Sequence, residues 1–148
     1  MIVLRNFVKY DALTLQENSY SDVSIEHIEN LICKWNQKRV NNKYFEMFAI
    51  VADKTVVGTI SLYEHSGEVI SIGPEIFKLY RQKGFAKEAM VYACNIAKER
   101  GYKIVSQQIR TDNTASIALH SSLGFETNGL TYTNANGNQV AIYLKSLV

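Results

Sequence analysis

The chain of 148 residues is 47% hydrophobic and 20% charged, which fits one globular domain with a substantial core rather than a disordered protein. A formal net charge of only +2, without a dense block of Lys and Arg, argues against a nucleic-acid partner. No run of about 18 uninterrupted apolar residues occurs, so neither a membrane span nor a membrane partner is expected.

Cysteine usage gives the first expectations about chemistry and location. The two cysteines, Cys33 and Cys94, are far apart and form no Cys-x-x-Cys pair, so neither a zinc site nor a disulfide framework is indicated. Both lie in apolar segments with helical spacing, where a free cysteine usually serves as a small core residue. We therefore expect two buried, unreactive thiols, no bound metal and a cytoplasmic location.

The N-terminal third of the chain predicts one short strand followed by two helices. Residues 2–4 are the expected strand. Apolar residues then recur at helical spacing over residues 14–40, with a break at residues 18–22. Ser24 is the expected N-cap of the second helix, because a serine hydroxyl can accept a hydrogen bond from a free N–H of the first turn.

The middle of the chain predicts three strands. Residues 45–52 and 55–63 are rich in β-branched and aromatic residues, and the two-residue connection Asp53-Lys54 indicates a hairpin. Residues 68–76 form the third strand, with Pro74 inside it. Because proline has no N–H to donate to a neighbouring strand, we expect an edge, a bulge or a strand that splays from its neighbour there.

The C-terminal half interleaves helices with strands. Residues 85–100 make the clearest helix, which has one apolar face and Gly101 as its expected stop. Asn136-Gly137 is a strong hairpin signal near the end of the chain. The other expected elements are a strand at 104–109, a helix at 114–123, and strands at 125–132 and 140–144. This order predicts an α+β fold with a mixed sheet rather than a doubly wound one.

The segment between the third strand and the long helix has the features of a phosphate-binding loop. Backbone N–H groups are unpaired at a helix N-terminus, and the helix dipole adds a field that favours an anion. Gly84 permits close approach of a ligand, and Arg81, Lys83 and Lys87 place cations beside it. The patterns of P-loop and dinucleotide-binding proteins are absent. These residues alone predict either a pyrophosphate site or an ordinary strand–helix turn with solvated lysines.

Two motifs together resemble those of the GNAT N-acetyltransferases. Arg81-x-x-Gly84-x-Ala86 resembles the R/Q-x-x-G-x-G/A loop with which that superfamily binds acetyl-CoA. Asn113-x-x-Ser116, followed by Leu123-Gly124-Phe125, resembles its second signature, an Asn that opens a helix ending in Gly-Phe. The resemblance runs from about residue 45 to the C-terminus and looks especially like the branch of ribosomal-protein N-terminal acetyltransferases.

The resemblance implies one N-acetyltransferase domain over residues 1–148. Its expected fold is α+β: a mixed, mostly antiparallel central sheet flanked by about four helices, with a splayed strand pair, 68–76 and 104–109, forming an acyl-CoA cleft. The implied donor is acetyl-CoA. The implied cofactor-binding residues are Ile76, Phe77, Lys78, Arg81, Gln82, Lys83, Gly84, Phe85, Ala86, Lys87, Asn113 and Ser116. For Asn113, a helix N-cap is an equally weighted and compatible role.

Acetyl transfer to an amine requires a base, a donor for the carbonyl oxygen and an acid for the departing thiolate. His120 stands where the family more often has a tyrosine acid, so we expect it to protonate the thiolate, with packing as the alternative. A backbone N–H of residues 74–76 is the expected donor to the carbonyl oxygen. Glu64, Glu68 and Glu75 are candidate bases that spacing does not distinguish, and a water chain is another option. Glu75 and His120 are the catalytic candidates.

The expected reaction is direct attack of a primary amine, from a small molecule or a peptide, in a ternary complex. The resemblance places the acceptor site near residues 15–23 and 131–138, where Tyr20 and Tyr132 are candidate walls and Glu17 and Asp22 could attract a cationic amine. A homodimer is a further option for the assembly. The alternative function is a non-catalytic acyl-CoA-binding module, which would bind acetyl-CoA without turnover on any amine.

Overall fold

The computed structural model describes every residue from Met1 to Val148. Four α-helices form: α1 (Ala12–Asn18), α2 (Ile25–Trp35), α3 (Phe85–Glu99) and α4 (Thr114–Ser122). Eight strands form: β1 (Ile2–Asn6), β2 (Arg39–Val40), β3 (Lys43–Ala52), β4 (Thr55–Glu64), β5 (Val69–Ile76), β6 (Ile104–Arg110), β7 (Thr131–Thr133) and β8 (Gln139–Ser146). Short 3-10 turns lie at Lys9–Asp11 and Lys78–Tyr80. None of the helices combines the length and apolar character that a membrane crossing requires.

The strands make one open sheet in the order β1-β3-β4-β5-β6-β8-β7, with β2 paired to β3. All neighbouring pairs are antiparallel except β5 and β6, which are parallel. This arrangement confirms the predicted α+β fold with a mixed, mostly antiparallel sheet and four helices.

Two hydrophobic cores cover the two faces of the sheet. Alternate residues of a strand point to opposite faces, so Phe48 and Ile50 of β3 join one core while Ala49 between them joins the other. The larger core packs α3 against β4, β5 and β6, and its alanines, such as Ala93, are fully buried and let the helix approach closely. The smaller core packs α1 and α2 on the opposite face, where Phe77 is 1% exposed.

Local signals predicted from the sequence occur where they were expected. The Ser24 hydroxyl accepts a hydrogen bond from the His27 N–H at 3.1 Å, which confirms it as the N-cap of α2. Asp53 and Lys54 both have positive φ, 48° and 66°, as a two-residue hairpin turn requires. Gly101 has φ of 94° and follows the end of α3.

Two expectations about the fold were wrong. Residues 125–132 do not form one strand, because a turn at Asn128-Gly129 interrupts it: the Leu130 N–H donates to Asn128 Oδ1 at 3.0 Å and Gly129 has φ of 79°. Only β7 and an isolated bridge between Glu126 and Leu144 remain of it. Cys33 is exposed on α2, although Cys94 is buried as expected.

A buried carboxylate ties together three elements on the α3 face of the sheet. Glu46 of β3 is 2% exposed. It accepts hydrogen bonds from the Tyr44 hydroxyl at 2.5 Å and from Asn6 Nδ2 of β1 at 2.9 Å. Arg100 Nη2, just after α3, lies 2.8 Å from Glu46, and Lys38 Nζ lies 3.3 Å from it. The charge is therefore fully partnered, as a buried carboxylate requires.

Candidate functional site

The strands β5 and β6 pair only at their N-terminal ends. Their backbone ladder consists of Val69 opposite Ile104 and Ile70 opposite Val105, after which the strands separate. The predicted splay is therefore present. A cavity of about 960 Å³ opens beyond the separation and extends to the loop before α3.

Side chains replace the backbone ladder at the point of separation. The Gln107 side chain of β6 accepts a hydrogen bond from the Ile72 N–H at 2.9 Å and donates one to the Ile72 carbonyl at 2.5 Å. On the opposite face of the sheet, the Ser71 hydroxyl donates to the Ser106 carbonyl. Gln107 and Ser71 therefore form the closed end of the cleft, which we call the vertex.

The edge of β5 that faces the cleft offers few free backbone groups. Residues facing one neighbour alternate with those facing the other, so Pro74 and Ile76 face the cleft as Ile72 does. Pro74 has no N–H, so Ile76 carries the first free N–H beyond the vertex. The Phe77 N–H donates to the Val57 carbonyl of β4 at 2.9 Å, and its ring lies in the smaller core. The expectation that Phe77 contacts the cofactor therefore does not fit its position.

The loop before α3 presents a concave array of free N–H groups. None of the N–H groups from Arg81 to Lys87 donates to a protein acceptor. Positive φ angles of 65° at Gln82 and 80° at Gly84 turn successive N–H groups toward one side, as in anion-binding nests. No atom lies within 4 Å of the position that a Cβ on Gly84 would take. These features fit a pyrophosphate group at the N-terminus of α3.

Most of the predicted cofactor-binding residues line this cavity. Arg81 and Lys87 supply positive charge to it, and Arg81 Nε donates to the Ile76 carbonyl at 3.0 Å. Lys78 and Lys83 are exposed but do not line the cavity. The predicted residues that do line it are Glu75, Ile76, Arg81, Gln82, Gly84, Phe85, Ala86, Lys87, Asn113, Ser116 and His120.

Asn113 can hold two roles at once. Its Oδ1 accepts a hydrogen bond from the Ser116 N–H at 3.0 Å, which confirms the N-cap of α4. Its Nδ2 donates to no protein acceptor, although the residue lines the cavity. The amide nitrogen is therefore free to donate to a ligand.

His120 lies on α4 and is buried against the vertex, with 4% of its surface exposed. Its Nδ1 lies 2.8 Å from the Ser116 carbonyl and must donate to it, so its Nε2 accepts from Gln107 Nε2 at 3.1 Å. Burial lowers the pKa of His120 from its ordinary value of 6.5, and the Ser116 carbonyl offsets part of that shift. A neutral ring without a free N–H is poorly placed to protonate a thiolate, so this geometry favours the packing alternative.

Among the three candidate bases, only Glu75 lines the cavity. Its Oε1 accepts a hydrogen bond from the Ser19 hydroxyl at 3.1 Å. Burial, and then the charge of Glu75, raise the pKa of the Tyr20 hydroxyl above its ordinary value. Glu75 thus lies on the α1 side of the sheet, opposite the face on which α3 packs.

The other two candidate bases are bound elsewhere. Glu64 accepts a hydrogen bond from the Tyr102 hydroxyl at 2.5 Å. Glu68 forms an exposed ion pair with Lys103, with 3.1 Å between Oε1 and Nζ. Neither contributes to the cavity, so the structure makes a distinction that spacing alone could not.

Comparison with known families connects this geometry to a known class of proteins. Residues 2–126 match the family described as Acetyltransferase (GNAT) domain. The chain belongs to the GNAT acetyltransferase family. Membership agrees with the acyltransferase class and the acetyl-CoA donor implied by the two sequence motifs.

Relatives and solved structures extend the comparison. A stretch of 103 residues, 68% of the chain, is 29% identical to the SPbeta prophage-derived uncharacterized N-acetyltransferase YokL of Bacillus subtilis (strain 168) and spans 58% of that protein. An acetyltransferase from Salmonella typhimurium that modifies the N-terminal serine of 50S ribosomal subunit protein L7/L12 has a TM-score of 0.79 at 16% identity, over 98% of this chain and 94% of that one. Spermidine N-acetyltransferase from Vibrio cholerae, in complex with CoA and spermine, has a TM-score of 0.79 at 17% identity, over 99% and 95% of the two chains. These two likenesses show the shared fold.

Several residues of the GNAT cleft had not been singled out in the sequence. Gln107 is the most important, because it forms the vertex and contacts His120. A buried glutamine at an inward position of a predicted strand is an unusual polar residue, and that was the available signal. The other unpredicted lining residues include Tyr63, Tyr80, Gln108, Ile109, Ala115 and Leu119.

Proposed function

We propose that this GNAT domain transfers the acetyl group of acetyl-CoA to a primary amine of a small molecule or peptide by direct attack in a ternary complex. The observation that carries the proposal is the cleft between β5 and β6. At one end it meets the free N–H groups of the loop before α3, and Glu75 borders it on the α1 face of the sheet. Donor and acceptor could therefore approach one another from opposite faces.

The donor side of the proposal rests on backbone groups. The N–H groups of residues 81–87 hold the pyrophosphate, with Arg81 and Lys87 adding charge. The Ile76 N–H pairs with the pantetheine arm in the manner of an added strand. The Asn113 amide reaches the same arm from the other wall. When bound, acetyl-CoA supplies an acetyl group activated as a thioester.

On the acceptor side, Glu75 is the proposed general base. An ammonium group must lose a proton before its nitrogen can attack, and the Glu75 carboxylate accepts that proton directly or through one water. The Ser19 hydroxyl fixes Glu75 Oε1 and leaves Oε2 free of protein partners. His120 takes no proton in this scheme. As the C–S bond breaks, the nitrogen loses its second proton to solvent and the departing sulfur receives a proton from solvent.

The acceptor class follows from chemistry shared by the structural neighbours. One of them is a spermidine N-acetyltransferase in complex with CoA and spermine, and another modifies the N-terminal serine of a ribosomal protein. An exposed carboxylate beside the cleft would favour a cationic amine of either kind. A cytoplasmic location and assembly as a homodimer complete the proposal.

A free-thiol assay tests it. The parent protein is incubated with acetyl-CoA and a panel of polyamines, amino acids, aminoglycosides and N-terminal peptides. Thiol release that depends on one class of amine, with the acetylated product identified by mass spectrometry, supports the transferase. Acetyl-CoA binding by calorimetry without release on any amine would favour the non-catalytic acyl-CoA-binding module instead.

A further inference from the structure

Side chains rather than backbone pairing form the vertex, so mutation can change its bulk and its hydrogen bonds separately. Backbone pairing of β5 with β6 stops at Ile70 and Val105. The next residue of β5 that faces β6, Ile72, has both of its backbone groups bound by Gln107 rather than by the β6 backbone. Gln107 is 6% exposed, although it lines the cavity. The Gln107 side chain therefore closes the deep end of the cavity.

The orientation of the Gln107 amide is fixed by three contacts. Its Oε1 accepts from the Ile72 N–H, and its Nε2 donates to the Ile72 carbonyl and to His120 Nε2. A flipped amide would place an oxygen against the Ile72 carbonyl and an N–H group against the Ile72 N–H. The flipped state is therefore disfavoured on both sides. The wall that the amide presents to the cavity is rigid.

We propose that Gln107 is a specificity-determining residue, whose bulk closes the cleft and limits the length of the acyl group on the donor. This inference rests on the proposed use of the cleft by an acyl-CoA. A pantetheine arm that enters from the loop before α3 runs along β5 toward the vertex. Ile76, where it first pairs, lies four residue steps from Ile72, or about 13 Å. The acyl group at the end of the arm lies in the deepest part of that span.

Each added methylene extends the acyl group toward the vertex. It meets the Gln107 amide with His120 packed behind it, and His120 is itself held by the ring of Phe125, with 4.9 Å between ring centroids. Moving this wall breaks hydrogen bonds at buried backbone groups, which is costly. A longer acyl group is therefore excluded rather than accommodated.

The test compares donors on the parent protein and on Gln107→Ala. We measure the affinities of acetyl-CoA and propionyl-CoA by calorimetry, and kcat/KM with each donor once an acceptor is known. Gln107→Ala should raise the propionyl-to-acetyl ratio about tenfold, the low end for one methylene in a shaped pocket. A folded variant with the parent's ratio overturns the proposal. Because the calorimetric ratio needs no turnover, it remains informative even if the protein acetylates no amine.

A further variant separates the effect of side-chain bulk from that of hydrogen bonding. Gln107→Met keeps the length of the side chain and loses all three contacts, so it should be less stable but stay within about twofold of the parent's donor ratio. A shift as large as that of Gln107→Ala would overturn the assignment to bulk. If Gln107→Ala does not fold, Gln107→Asn, which is shorter by one methylene, carries the same comparison.

A matched control comes from a glutamine outside the cavity. Gln139 lies exposed on β8 and donates from Nε2 to the Thr133 hydroxyl at 2.6 Å. Gln139→Ala makes the same chemical change and should leave the donor ratio as in the parent. A ratio that shifts equally in this control would show a global effect and overturn the assignment to Gln107.

Discussion

The Glu75 carboxylate accepts a hydrogen bond from the Ser19 hydroxyl at 3.1 Å, which links the splayed strand β5 to the residue after α1. This contact fixes one carboxylate oxygen and orients the other beside the cavity. It also places the charge on the face of the sheet where α1 and α2 pack, away from the loop before α3. The proposed base therefore lies on the face of the sheet from which we propose that the acceptor amine enters.

Glu75→Gln should lower kcat by about 10²-fold at neutral pH, the low end for removal of a general base. The loss should shrink as the pH rises, because the ammonium form of the acceptor then loses its proton in solution without the base. Affinity for acetyl-CoA should change little. Steady-state kinetics from pH 7 to pH 10 check this. Glu68→Gln is the matched control, since Glu68 is exposed and paired with Lys103 outside the cavity. Equal activity of Glu75→Gln and the parent across this range would contradict the assignment.

Gly84→Asp should weaken acetyl-CoA binding at least tenfold, because the new carboxylate would meet the pyrophosphate. The control is Gly101→Asp. Both glycines have positive φ, 80° and 94°, and neither has an atom within 4 Å of a built Cβ. The backbone strain, about 1 kcal/mol, should therefore be similar in the two variants. Calorimetry measures the affinity for acetyl-CoA, and thermal melting measures the loss of stability. Equal acetyl-CoA affinity in the two variants would count against the phosphate-binding loop.

Pro74→Ala should strengthen acetyl-CoA binding about fivefold, the value of one hydrogen bond. Pro74 faces the cleft but has no N–H, so alanine would add a donor two residues closer to the vertex than Ile76. Binding of CoA without an acetyl group serves as the control. A gain for acetyl-CoA alone places the new N–H at the thioester carbonyl, and a gain for both places it at the pantetheine arm. No gain for either would mean that the arm does not follow this edge.

Local features of the fold were predictable because neighbours in sequence determine them. The Ser24 cap depends on the N–H three residues later, and the Asp53-Lys54 turn depends on two φ angles. The interruption of the expected strand at 125–132 depends on an equally local signal, Asn128-Gly129. An Asn-Gly dipeptide is a turn signal, and here it ends the strand that was expected to run through it.

The vertex could not have been predicted in the same way. Gln107 binds the backbone of Ile72, 35 residues away, so its role depends on the register of two strands that α3 separates in sequence. The positive φ of Gln82 was not predictable either, because the residue is not a glycine. The motifs indicated where a phosphate would bind, but only the tertiary structure shows which side chain limits the depth of the cleft.

Glu46→Leu should lower the free energy of unfolding by about 2 kcal/mol or more, because the Tyr44 hydroxyl and the Asn6 amide lose their acceptor and two cations lose their partner. Urea denaturation at pH 7 measures the change. Glu68→Leu removes an exposed ion pair and should cost less than about 0.5 kcal/mol. Comparable losses in the free energy of unfolding of the two variants would mean that the buried cluster stabilises the fold no more than an exposed ion pair does.

His120 should make the protein less stable in mild acid. Because its pKa in the folded protein lies below the ordinary value of 6.5, the unfolded chain binds a proton at pH values where the folded protein does not. The stabilising contribution of the neutral ring is therefore complete above pH 6.5 and is lost as the pH falls below it, with a slope of at most about 1.4 kcal/mol per pH unit. The physical cause is the burial of the ring, which the hydrogen bond to the Ser116 carbonyl offsets in part.

The measurement is the free energy of unfolding in urea between pH 5 and pH 8. His120→Gln replaces the ring with a side chain that does not titrate and can still accept from Gln107, so this variant should lose the part of the slope that belongs to His120. His27→Gln is the matched control, because it makes the same exchange at an exposed position on α2. If the parent and His120→Gln lose stability in parallel below pH 6.5, the ring is not the titrating group and other residues must account for the acid sensitivity.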